Sequence, residues 1–127
     1  GPGDDTIATG SGVYTVYTSV MAYDVAEAVC RVSGAHLAAF ETGKEFERFE
    51  PLVENAIHFW IGGRDVSMTG KFVWVHSGHK LSETFTKWPA YRPFSISTHP
   101  AYRCLSLYRP YWYDNICTTA RRFICEY

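Results

Sequence analysis

Apolar and polar positions alternate, cluster and repeat along this chain in ways that predict a series of short elements. Phe59-Trp60-Ile61-Gly62-Gly63 stands out first. Three large apolar residues in a row, closed by glycine, predict a strand buried on both faces at the centre of the domain. The two glycines allow either close approach of another backbone or a turn with positive φ.

Upstream, Val13-Tyr14-Thr15-Val16-Tyr17 is β-branched and aromatic, which predicts a strand. Ala22, Ala26, Val29 and Cys30 recur at helical spacing, and Gly34 supplies a stop. The helix so predicted runs from about Met21 to Ser33. His36 to Phe40 is a short apolar link. Thr42-Gly43-Lys44-Glu45 has the form of a capping box, and Phe46, Phe49 and Val53 follow on one face. Pro51 lies inside that pattern, so this second helix should break or restart near Glu50.

Downstream, Met68 to Lys71 is a predicted turn, and Lys71 to His76 alternates as a strand closed by Ser77-Gly78-His79. Leu81 to Tyr102 holds Pro89, Pro93 and Pro100 and shows little periodicity. A loop of that length without regular structure is uncommon and often functional. Cys104 to Leu107, Tyr111 to Tyr113 and Phe123 to Cys125 are three further strands. Strand, two helices, then many strands is an α+β order. Residues 1–12 are expected to be a loose arm, with Gly1-Pro2-Gly3 a cloning remnant, ahead of one domain over residues 13–127.

Composition adds limits. With 127 residues and 46% hydrophobic content the chain can bury one real core. No apolar run reaches about 18 residues, so no membrane insertion is expected. A net charge of −1 gives no general pull toward nucleic acid. The charge is uneven, however. From Lys87 onward, Lys87, Arg92, Arg103, Arg109, Arg121 and Arg122 face only Asp114 and Glu126, a balance of +4. That reads either as a chance imbalance on a solvated surface or as a basic rim for an anionic or hydroxyl-rich ligand. Aromatics concentrate in the same segment, too many for a small domain to bury all of them. Four cysteines (Cys30, Cys104, Cys117, Cys125) suggest two disulfides and a secreted or extracellular address. Four cysteines allow three connectivities. No G-x-S-x-G, H-E-x-x-H or phosphate loop is present, so catalysis is not expected.

As a set, these pieces resemble the C-type lectin-like domain. The matching stretches are Ala28-Val29-Cys30, Gly34-Ala35-His36-Leu37-Ala38, Glu45 and Phe46, Phe59 to Gly63, Gly70-Lys71-Phe72-Val73-Trp74, Phe85, Trp88, Cys104, Trp112-Tyr113-Asp114, and Cys117 with Phe123 to Glu126. The resemblance implies two helices flanking antiparallel sheets, a long loop region, and disulfides Cys30–Cys125 and Cys104–Cys117. It is the short form, without the extra N-terminal cysteine pair.

Sugar-binding members of that family hold calcium through E-P-N or Q-P-D, an acidic residue before the third cysteine, and W-N-D. Here those positions read Arg92-Pro93-Phe94, Tyr102-Arg103 and Trp112-Tyr113-Asp114. Only Asp114 of the set remains, whereas calcium takes six to eight oxygen ligands. No metal or other cofactor is therefore expected. The resemblance also implies a cis bond at Arg92-Pro93.

Two functions compete. The first is a lectin that binds sugar without calcium. Arg92 would donate hydrogen bonds, Asp114 would accept them, Tyr91, Phe94, Tyr102 or Tyr113 would stack on a sugar face, and His99 would donate or accept. The second is a protein-binding domain of the same family, with exposed tyrosine and arginine as anchors. In either case Arg92 and Asp114 could instead pair with each other. The expected partners are a glycan or glycoprotein, no nucleic acid, and, left open, a second copy in a homodimer. Substituting Arg92 is expected to abolish binding and spare the fold.

Overall fold

The computed structural model describes residues 4–127. β1 (Asp5–Thr9) and β2 (Gly12–Met21) lead into α1 (Tyr23–Val32), β3 (His36–Leu37) and α2 (Gly43–Phe49). Then come β4 (Phe59–Arg64), β5 (Val73–Trp74), β6 (Tyr102–Tyr108), β7 (Tyr111–Ile116) and β8 (Arg121–Glu126). The sheet runs β1-β2-β8-β4-β6-β7, with β3 added to β8 and β5 to β4. This is the expected α+β fold with two helices. The sheet is mixed rather than wholly antiparallel, because β4 pairs with β8 in parallel.

β4 is the middle of the structure, as its sequence suggests. Phe59 and Ile61 join a core with Phe40, Phe46, Phe49, Trp74 and Trp112. Trp60, pointing the other way, packs with Tyr23, Cys30 and Phe123 under α1. The two glycines serve close approach. A Cβ on Gly62 would lie 2.6 Å from the Leu37 carbonyl oxygen, and one on Gly63 would lie 2.5 Å from the Leu105 side chain.

The helices follow their local signals. α1 buries Tyr23, Ala26 and Cys30, and Gly34 ends it at φ +77°. It starts later than predicted because Met21 still pairs with Arg121 in the sheet. In α2 the capping box is complete: the Thr42 side chain accepts from Glu45 N at 3.1 Å and the Glu45 carboxylate accepts from Thr42 N at 3.1 Å. The helix stops at Phe49, and Pro51 sits in a 3-10 turn over Glu50–Leu52.

Two expectations need correction. Residues 5–9 are not a loose arm. They pair with β2 from Asp5 opposite Val16 to Thr9 opposite Gly12, across the two-residue turn at Gly10 and Ser11. Ile7 packs on the core, and the Asp4 carboxylate accepts from Thr18 N at 2.8 Å. Gly1 to Gly3, read as a cloning remnant, lie outside the described residues. The strand expected over residues 71–76 shrinks to Val73–Trp74, because the chain turns back at once and Val73 bridges to Lys80.

Cys30 bonds to Cys125 and Cys104 to Cys117. The first ties α1 to β8 across 95 residues, and the second closes the β6–β7 hairpin. A cross-link over so long a loop typically contributes about 2–5 kcal/mol.

Two predictions follow from this packing. Gly62→Ala has no room against a backbone carbonyl, so it should lower stability by about 2 kcal/mol or more in a denaturant titration. An unchanged midpoint would contradict the close approach. The second concerns Glu126, whose carboxylate accepts from Ala39 N at 2.9 Å. Burial pushes this carboxyl from its ordinary 4.5 up to about 7. Its contribution to stability is present below about pH 4.5 and is lost as pH rises through 7. Burial moves His58 the other way, from 6.5 down to about 4, so its contribution is lost as pH falls through that window. The pH curve of the wild type therefore mixes opposite signs, and single variants separate them. Glu126→Gln should match wild type near about pH 5 and exceed it by about 1–2 kcal/mol near about pH 8. An equal difference at both pH values would contradict the raised carboxyl.

Candidate functional site

The long loop between the 3-10 turn Leu81–Glu83 and β6 is anchored before it becomes irregular. Phe85 packs edge-on to Trp112, Trp88 packs edge-on to Phe72, and Trp112 N donates to the Lys87 carbonyl at 2.8 Å. Beyond this anchor come Tyr91 at φ +67° and a cis bond between Arg92 and Pro93. A second cis bond, Arg109–Pro110, has no counterpart in the sequence reading.

Asp114 on β7 is the loop's fixed point. Its side chain is 0% exposed. One carboxylate oxygen accepts from Arg92 Nε at 2.5 Å and the other from Phe94 N at 2.8 Å. Its backbone oxygen accepts from the Arg92 Nη2 group. Arg92, 16% exposed, therefore grips β7 through two different oxygens. Its guanidinium lies 4.0 Å from the Phe94 ring centre and 5.0 Å from that of Tyr113. The cation thus has a counter-charge in its plane and aromatic rings close by.

The rings continue outward. Phe94 stacks on His99 at 4.1 Å, and Tyr102 meets both edge-on at 5.3 and 5.4 Å. His99 Nδ1 lies 2.9 Å from Thr98 Oγ1. Tyr91 stands apart from this cluster at 95% exposed. All seven candidates belong to one loop and strand end, but in different roles. Arg92 and Asp114 are spent on each other. Phe94, His99, Tyr102 and Tyr113 are half-buried around them, and Tyr91 is presented to solvent.

The pairing changes one expectation. Removing Arg92 would leave a buried carboxylate without its counter-ion, so substitution there would not spare the fold. Calcium does not fit these residues either. One carboxylate is present, both its oxygens are engaged, and a guanidinium lies against it. Among the described residues no group of three His, Cys, Asp or Glu is placed to hold a metal.

The surface here is shallow. Pro93 and Trp88 border a cleft of about 210 Å³ with Phe72 and Leu81. The larger cleft, about 280 Å³, lies away from the loop, where His36 and His76 stack at 3.7 Å. Sequence reasoning did not single out His58, and it counted Arg121 only among the charges of a basic rim. His58 and Tyr108 contact Tyr113 from its far side. The alternation of Tyr111 and Tyr113 against Ser106 and Tyr108 was the available signal for that shared face.

Comparison with known proteins agrees with this architecture. The family model for the lectin C-type domain matches residues 19–127. "C-type lectin 16" of Aedes aegypti is 28% identical over 109 residues, covering 76% of this chain and 70% of that protein. "Salivary C-type lectin 1" of Aedes albopictus is 29% identical with the same coverage. Among solved structures, a calcium-independent type II antifreeze protein superposes with a TM-score of 0.81 at 24% identity, covering 96% of this chain and 90% of its own. The C-type lectin domain of murine dendritic cell inhibitory receptor 2, solved with an N-glycan, gives 0.84 at 19% identity, covering 97% and 95%. With its two helices, mixed sheet and pair of disulfides, this chain belongs to the lectin C-type domain family.

Proposed function

We propose that the protein is a secreted lectin that binds carbohydrate through the long loop without calcium. The observation that carries this reading is Tyr91, almost wholly exposed beside a clamped guanidinium. A sugar offers C–H faces that stack on a ring and hydroxyls that need directional partners. Tyr91 supplies the exposed ring. Set apart from it, the half-buried rings of Phe94, Tyr102 and Tyr113 form an aromatic wall, and His99 offers a ring nitrogen at its rim. Arg92 and Asp114 act by holding this wall in one shape, which lowers the entropy lost on binding. The guanidinium does this without an ion, so binding should persist in a chelator.

The relatives support the reading at a distance. The mosquito proteins are named as lectins, one of them salivary, and the murine receptor domain was solved with a glycan. The calcium-independent antifreeze protein is a precedent for this fold without the ion. Two disulfides fit an oxidising, extracellular setting. A protein ligand is the second reading, favoured by the same exposed tyrosine next to arginine.

Two outcomes test this. On a glycan array in EDTA, wild type should bind, and Tyr91→Ala should lose about tenfold in affinity while melting like wild type. Loss of all sugar binding in chelator would overturn the proposal, and retained binding to a protein ligand would then favour the second reading. Arg92→Ala should lose about 3–5 kcal/mol of stability together with binding. A variant that melts normally would show that Asp114 does not depend on this partner.

A further inference from the structure

The ring contacts around Arg92 do not end at Tyr113. Tyr113 meets His58 at 5.7 Å and Tyr108 at 5.8 Å, both edge-on, and His58 and Tyr108 lie 4.4 Å apart. A continuous run therefore leads from Tyr102 at the start of β6 and Phe94 in the loop, through the Arg92 guanidinium and Tyr113, to Tyr108 and His58. Strand register explains its second half. Tyr113 lies opposite Ser106, and Tyr108 follows Ser106 by two, so the three share a face. Trp60 is opposite Ser106 from the other side and beside Phe123, which puts His58 and Arg121 on that face too. α1 covers the part of this face around Trp60 and Phe123. His58, Tyr108 and Tyr113 remain half-exposed.

Arg121 ends the run with an uncompensated charge. Its Nη2 donates to Asn115 Oδ1 at 2.9 Å, and Asn115 Nδ2 donates to Ser106 Oγ at 2.8 Å. Ser106 Oγ lies 2.8 Å from His58 Nδ1. These partners are neutral. Arg31, Arg64, Arg92, Arg109 and Arg122 each face a carboxylate, whereas among the described residues no ion pair includes Arg48, Arg103 or Arg121, and of these three Arg121 lies on this face. Its buried Nε has no hydrogen-bond partner. A half-buried guanidinium fixed by neutral groups keeps its attraction for an external anion. The positive field also reaches His58: after burial, the charges of Arg121 and Arg92 hold that imidazole low.

We propose that this face is a second contact region continuous with the loop, and that its occupant is an acidic oligosaccharide. A carboxylate or sulfate on the sugar meets Arg121, and a neighbouring ring lies across Tyr108 and Tyr113. This rests on the sugar-binding reading above and adds to it the chemical class of the glycan and a length beyond one residue.

The test is titration of the full chain in EDTA with a uronic-acid tetrasaccharide, its carboxyl-reduced neutral form, and a sulfated tetrasaccharide. Wild type should bind at least one acidic form about tenfold more tightly than the neutral one, the worth of one charge-assisted contact. Whichever acidic form is preferred identifies the anion. Arg121→Gln, which keeps a donor for Asn115, should erase the preference and leave the neutral affinity and melting unchanged. Arg121→Lys should retain part of it. Tyr108→Ala should weaken the tetrasaccharides more than a disaccharide. Equal affinity for acidic and neutral forms, or a preference that survives Arg121→Gln, would overturn this proposal. If the neutral form still binds and still depends on Tyr91, the loop reading stands alone. If no tetrasaccharide binds in any form, both readings fall.

Discussion

A carboxylate with no exposed surface cannot remain charged in a protein interior unless something opposes it. Asp114 is in that position within β7, and the long loop is arranged around meeting its need. Arg92 supplies the charge and a donor to the backbone oxygen, and the Phe94 amide takes the remaining carboxylate oxygen. Three contacts from residues two positions apart fix the backbone on both sides of Pro93. The neighbouring side chains then have little choice. Phe94 folds against the guanidinium, His99 and Tyr102 pack on Phe94, and Tyr91 is turned outward. In this arrangement an internal cation organises the loop.

Such a clamp needs a rigid base, which the centre of the sheet provides. β4 is buried on both sides and lies between β8 and β6, so it couples the α1 side of the core to the aromatic side. β7 hangs from β6, and the Cys104–Cys117 bond closes that hairpin just beyond Asp114. The loop is thus pinned at its start by Phe85 and Trp88 and in its middle by Asp114. Position and charge are set before any ligand arrives.

Much of the scaffold was legible because its signals are local. A run of three large apolar residues before two glycines marked β4, a capping box marked α2, and Pro51 marked its end. The disulfide pairing was not local and came from resemblance. β1 was missed because five residues beside glycines carry a weak propensity, and pairing with β2 decides their structure. The site was legible as a list of residues and not as a set of roles. Arg92 and Asp114 are 22 positions apart in the chain, and periodicity does not say whether such a pair faces a ligand or each other. The same holds for His58 and Ser106, which lie 48 positions apart and meet only through the register of β4 on β6.

The direct measurement of whether Arg92 does the work of an ion is a calcium titration followed by amide NMR at neutral pH. Calcium would be raised to about 10 mM, above the roughly 10⁻⁴–10⁻³ M range of weak extracellular calcium modules. The amides of Phe94 and Asp114 should not move. Saturable shifts at those two amides would show that a cation displaces the guanidinium, and the loop would then belong to the metal after all.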